Sequence, residues 1–119
     1  MATVNETIAD LLSIDGAIAA AVVDSSSGMV LGKGGTGVNL DVAAAGNTEV
    51  VRAKMKTMKS LGIKDKIEDM LITLSSQYHV LRPIIDKPGL FMYLVLAKDK
   101  ANLAMARYRV TELESELSV

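Results

Sequence analysis

The chain has 119 residues, with 13 basic against 14 acidic side chains, 3% aromatic residues and no cysteine. That length suits one domain, residues 1–119, which can bury roughly two-thirds of the surface its unfolded form exposes and so needs neither disulfide nor metal to hold a core. Thiolate nucleophiles, disulfides and Cys-ligated zinc are excluded, the even charge and few rings argue against a nucleic-acid surface, and near-neutrality permits self-association.

The N-terminal Met1-Ala2-Thr3-Val4-Asn5-Glu6 has no basic region ahead of an apolar run. No later stretch approaches the roughly 20 apolar residues that span a bilayer, so a cytoplasmic protein without membrane insertion is expected. Thr3 followed by Glu6 fits a capping box, and Val4, Ile8, Leu11 and Leu12 fall on one helical face, predicting a helix from Thr3 to Ser13 that Asp15-Gly16 ends. Ala17 to Val23 is a short apolar run closed by turn chemistry in Asp24-Ser25-Ser26-Ser27-Gly28, and Met29 to Gly32 is a second run, together a β-hairpin signal. Gly32 to Gly37 reads as a flexible loop.

The segment from Asp41 to Leu61 has the length and alternation of a helix, with Asp41 as its cap and Gly62 as its stop. It carries a bulky stripe suited to lie on a sheet, namely Ala44, Thr48, Val51, Met55 and Met58. Beside it runs a stripe of smaller side chains at heptad-like spacing, Ala43, Gly46, Val50, Ala53 and Thr57. The remaining face is basic, with Arg52, Lys56 and Lys59. Strands are predicted over Ile67 to Ser75, Gln77 to Ile85 and Leu90 to Ala97, the last two joined by Asp86-Lys87-Pro88-Gly89. Leu90 to Ala97 is apolar on both faces, as in a central strand covered on both sides. Leu103, Ala106, Val110, Leu113 and Leu117 form the stripe of a closing helix, with Asp99 or Asn102 near its start. The order α-β-β-α-β-β-β-α describes an α/β domain with a five-stranded, mainly antiparallel sheet.

Chemistry-bearing patterns are few. Gly32-Lys33-Gly34-Gly35-Thr36-Gly37 satisfies the letters of a dinucleotide-binding G-x-G-x-x-G, but its helix starts several residues late and the position about 20 residues on lies inside that helix rather than at a strand end. His79 is the only histidine and reads as a half-exposed strand residue, too isolated for a metal site. Glu68 and Asp69 are adjacent, so on a strand they point to opposite faces and cannot work as an acid–base pair; solvation at a strand end accounts for them. Neither a catalytic residue nor a cofactor site follows, and the chain reads as a non-enzyme acting through its surfaces. Gly46 inside a helix costs roughly 1 kcal/mol against alanine, which either reflects close approach of another backbone or marks a weak first turn or a later helix start.

The ordered features resemble the roadblock/LC7 family. Ile14-Asp15-Gly16-Ala17-Ile18 follows a leading helix, an apolar strand ends in Val22-Val23-Asp24, a turn closes at Gly28, and a long second helix follows. Leu90 to Ala97 then enters Lys100-Ala101-Asn102-Leu103-Ala104-Met105-Ala106-Arg107 through an Ala-Asn-Leu step similar to the family's last strand and helix. The resemblance implies a profilin-like α/β/α sandwich that forms a homodimer by pairing second helices and third strands, and a regulatory role beside small Ras-like GTPases. The helix seam would then be Ala43, Gly46, Val50, Ala53 and Thr57, and the pairing strand would present Met70, Ile72 and Leu74. Arg52, Lys56 and Lys59 are either candidate contacts for such a GTPase or simply a solvated helix face. Two other readings stand beside it. A small-ligand sensor of the PAS/GAF kind would hold a cavity beneath the sheet lined by Met70, Met92 and Tyr93, and a small enzyme would use the glycine loop on a nucleotide.

Overall fold

The computed structural model describes residues 1–119. Its elements are α1 (Val4–Leu12), β1 (Ala17–Asp24), β2 (Met29–Gly35), α2 (Leu40–Ser60), β3 (Met70–Thr73), β4 (Gln77–Pro83), β5 (Leu90–Ala97) and α3 (Leu103–Glu116), in the order expected. The strands form one antiparallel sheet ordered β2-β1-β5-β4-β3. Its centre is the β1–β5 pair, and Phe91 to Leu96 are six consecutive residues each no more than 1% exposed. Alternation sends Ala19, Ala21, Val23, Phe91, Tyr93 and Val95 to the α2 face, while Ala20, Val22, Met92, Leu94 and Leu96 meet α1 and α3 on the other. The three layers follow from that two-sided strand.

The helix ends explain themselves locally. Thr3 and Glu6 form the expected capping box, with the Glu6 amide donating to the Thr3 hydroxyl (3.1 Å) and the Thr3 amide to the Glu6 carboxylate (3.0 Å). Asn102 caps α3 by accepting from the Met105 amide. The expected cap of α2 is corrected: Asn39 accepts from the Val42 amide, and Asp41 instead lies in the first turn, paired with Lys33 at 2.8 Å. Gly62, at φ +72°, follows the helix end as anticipated.

Two further expectations are revised. The glycine-rich segment is largely strand, since β2 runs through Gly35. Gly32 and Gly34 face α1, and a Cβ on Gly34 would sit 2.8 Å from Leu12 and 3.0 Å from Ile8, so the missing side chains let α1 lie directly on the strand. Gly35 (φ +98°) closes on the backbone of Ile18 and Ala19, where no side chain fits. The third strand, expected over Ile67 to Ser75, is confined to Met70–Thr73. On one side of it the Leu74 amide is already committed to the Gln77 carbonyl (2.8 Å) in the β3–β4 turn. On the other, Asp69 is held by Arg107 of α3 through two hydrogen bonds of 2.7 and 2.8 Å. Asp69 is therefore an ion-pair anchor rather than a solvated strand end. β4 stops at Pro83, which has no amide to donate, and the Ile84 amide closes the hairpin on Leu90.

α3 is pinned to the end of β4 by Arg82 and Glu114, whose side chains are each 10% exposed. Glu114 also accepts from the Ile85 amide (3.2 Å). Removing one partner of a buried pair strands the other charge, so Glu114→Ala is expected to cost about 3 kcal/mol in urea unfolding. The double variant Arg82→Met/Glu114→Leu is expected to recover most of that loss. Equal destabilisation of single and double variants would show that the pair is not buried as described.

Candidate functional site

α2 has two unlike long sides. Ala44, Thr48 and Val51 are buried against the sheet, and the Thr48 hydroxyl is satisfied by the Ala44 carbonyl (2.7 Å). Ala43 is half-buried, whereas Gly46, Val50, Ala53 and Thr57 are exposed. The helix begins at Leu40, so Gly46 lies well inside it and does not mark a late start. A Cβ built on Gly46 would meet no heavy atom within 4 Å, so the close approach that would explain this glycine does not come from its own chain. Two apolar side chains beside it stand in solvent, Val42 at 67% and Val50 at 40% exposure. Arg52, Lys56 and Lys59 are exposed and make no ion pair, and Lys59 borders a cavity at the C-terminal end of the helix.

The same side of the sheet continues outward from α2. Met70 and Ile72 stand opposite Leu81 and His79 in register and are half-buried beside the core beneath α2. β3 is an edge strand with one side unpaired. Leu74 is not brought into this row: it lies in the turn after β3, exposed.

Between edge and helix runs a polar thread that the sequence did not signal. The Tyr93 hydroxyl lies 3.0 Å from His79 Nδ1, His79 Nε2 lies 2.9 Å from Gln77 Oε1, and the two rings meet edge-on at 5.5 Å. Burial depresses the His79 pKa below its ordinary value, favouring the neutral ring. A neutral ring lets Tyr93 donate to Nδ1 while Nε2–H donates to Gln77. Burial also raises the Tyr93 pKa, with the Asn47 side chain of α2 partly offsetting it.

The cavity is a second feature, of about 470 Å³, between the C-terminal half of α2, the segment 63–67 and the β4–β5 connection. Val51 and Phe91 contribute to its wall from the core, Met55, Met58 and Ile67 from α2 and the following segment, and Lys59, Asp65 and Lys66 add charge. Met55 and Met58, expected to lie on the sheet, instead border this space. Met92 and Tyr93, which would line the cavity that a small-ligand sensor needs beneath the sheet, are instead core residues packed on opposite faces, each 1% exposed. The glycine motif is also spent structurally: Gly32 and Gly34 turn to α1, Lys33 pairs with Asp41, and Asn39 occupies the α2 N-terminus.

A five-stranded antiparallel sheet in this order, with one long helix on one face and two helices on the other, is the roadblock/LC7 fold, a profilin-like α/β/α sandwich. Solved structures bear this out. A roadblock/LC7 domain from Streptomyces avermitilis superposes with a TM-score of 0.82 at 13% identity, over 97% of this chain and 94% of that one. The gliding protein MglB from Thermus thermophilus gives 0.79 at 18% identity over 92% and 81%. An MglB described in a tetrameric arrangement gives 0.81 at 17% identity over 93% and 82%. No protein-family model and no curated protein matches the chain. No helix is long and apolar enough to cross a membrane.

A group whose folded pKa is depressed gives stability that is complete above its unfolded value, about 6.5 for histidine, and is lost as pH falls through the folded value. Urea unfolding is therefore expected to show stability falling as the pH drops below about 6.5, and His79→Gln is expected to flatten that limb. Glu6 and Asp24, held low by hydrogen bonds from Thr3 and Ser26, act in a more acidic window and do not confuse the reading. An unchanged slope in the variant would remove His79 as its cause.

Proposed function

We propose that this chain is a non-catalytic, homodimeric, cytoplasmic adaptor that binds a small Ras-like GTPase and modulates its nucleotide cycle or location. The observation that carries this reading is the uncovered side of α2, where Gly46 has open space in place of a side chain and Val42 and Val50 face solvent. Gly46 in a helix interior is a cost unless another backbone comes close. A second copy of the helix, related by a two-fold axis, would supply that approach, with Ala43, Val50, Ala53 and Thr57 completing the seam. Met70 and Ile72 on the β3 edge would extend the contact by strand pairing, so that two sheets become one. The likeness to roadblock/LC7 structures, one of them in a tetrameric arrangement, supports self-association.

The GTPase half of the proposal rests on the resemblance of the sequence to the roadblock/LC7 family. Arg52, Lys56 and Lys59 are the proposed contacts, acting through charge. The chain would work by positioning the GTPase's own residues.

Two substitutions test the seam by sedimentation. Val50→Glu places a charge against its symmetry mate and is expected to weaken the dimer by at least about 100-fold. Gly46→Ala has the opposite effect on the two levels of structure. In the Val50→Glu background it is expected to raise monomer stability by about 1 kcal/mol, because nothing obstructs the added methyl; in the otherwise wild-type chain it is expected to loosen the dimer. A dimer indifferent to both changes places the seam elsewhere. For the partner, a pull-down with Ras-like GTPases followed by a GTP hydrolysis assay is the direct measurement. Arg52→Glu/Lys56→Glu is expected to abolish capture while leaving the dimer intact, and undiminished capture would discard these contacts.

A further inference from the structure

We infer that the cavity at the C-terminal end of α2 is a binding site for a small anionic amphiphile, an apolar chain ending in a carboxylate. This goes beyond the adaptor reading and does not depend on dimerisation. The space, about 470 Å³, lies within the roughly 300–1,000 Å³ usual for small-molecule sites. Four pieces of chain border it: Ser25 after β1, the last turns of α2, the segment 63–67, and the connection from Pro83 to Phe91. Val51 and Phe91, each 1% exposed, belong to the packed core and give the site a fixed apolar floor. Met55 and Met58 form an adjustable wall, since an unbranched thioether repacks around varied shapes.

The charge around this space selects the head group. Lys59 and Lys66 border the cavity with one acid, Asp65, and neither lysine is held in an ion pair. The imbalance is regional: six of the chain's 13 basic residues fall between Arg52 and Lys66, where Asp65 is the only acid, in a chain of net charge −1. An apolar interior edged by free ammonium groups matches a molecule that buries hydrocarbon and leaves one anionic oxygen pair at the boundary, where charge-assisted hydrogen bonds are strong. Size argues against a docked helix, which is about 10 Å across and needs a trough running along two or more turns. A volume of about 470 Å³ is enough for one hydrocarbon chain.

The experiment is a titration of the full-length protein with dodecanoate below its micelle concentration, followed through the methyl resonances of Met55, Met58 and Ile67 and by calorimetry. Saturable one-to-one binding that shifts these methyls is expected. Lys59→Gln/Lys66→Gln is expected to weaken it about tenfold, and dodecanoate's methyl ester to bind wild type weaker by a similar factor. Met58→Trp is expected to fill the space and abolish binding. Ile67→Phe, in a segment outside helix and strand, does the same with less risk to the fold, and circular dichroism checks both. The inference is overturned if the methyls do not move, if acid and ester bind equally, or if the filled variants bind as wild type does. Binding to anionic vesicles without binding to free dodecanoate would also overturn it, because that result assigns the basic segment to a membrane surface instead.

Discussion

One central strand that must be covered on both faces sets the terms for everything else in this molecule. Phe91 to Leu96 are buried without a break, so β5 needs apolar layers above and below it. Three helices are available. Two, α1 and α3, are placed on one face, which leaves α2 alone on the other. Five strands about 4.8 Å apart make a sheet roughly 20 Å wide, while a helix with its side chains is about 10 Å across. A single helix cannot close that face. α2 sits over β1 and β2, and the strip carrying Met70, Ile72 and His79 is left half-covered. The candidate interaction surface is thus a consequence of helix count against sheet width.

The polar groups on this face behave as the same constraint requires. A half-covered strip is too dry for an unpaired histidine and too wet for a purely apolar row. His79 answers by linking to Tyr93 and Gln77, so each ring nitrogen has a partner while the ring stays neutral. On the opposite face the polar groups are ion pairs instead, Arg82 with Glu114 in a buried setting and Arg107, half exposed, with Asp69. Both join α3 to the outer strands that α1 does not reach.

Features written in local chemistry were legible in the sequence. The Thr3–Glu6 box, the Asp24–Gly28 turn, the bounds of β5 and the stripe of α3 each depend on neighbours within a few residues, and each stands where the pattern put it. The misreadings share a different cause. Gly32 and Gly34 look like loop residues because glycine shows no alternation, and what makes them strand is α1, about twenty residues earlier. Asp69 looks solvated because its partner lies 38 positions away. The short β3 follows from the same anchor and from a turn that claims the Leu74 amide. Asp41 looks like the cap of α2 because Asp and Asn cap equally well, and only geometry selects Asn39. The cavity was out of reach for the same reason, being assembled from segments near 25, 51–67 and 83–91, none of which carries a site pattern alone.

α2 connects these surfaces physically. At 21 residues it is about 32 Å long, nearly the span of a molecule measuring 38 × 33 × 26 Å. Each turn of its C-terminal half therefore presents residues to two different sides. Val51, Met55 and Met58 line the cavity, and Val50, Ala53 and Thr57, one residue back or two on, face the proposed seam. Neighbouring positions on a helix are rigidly related, so a ligand that rotates or shifts α2 by a fraction of a turn to fit its wall displaces the seam residues by the same rotation. Interfaces between packed helices tolerate such displacement poorly, because ridges and grooves must stay in register. Occupancy of the cavity and the proposed association through α2 would then be two loads on one rigid rod, and the sign of their coupling would depend on whether the ligand-filled wall holds α2 in the orientation that the seam requires.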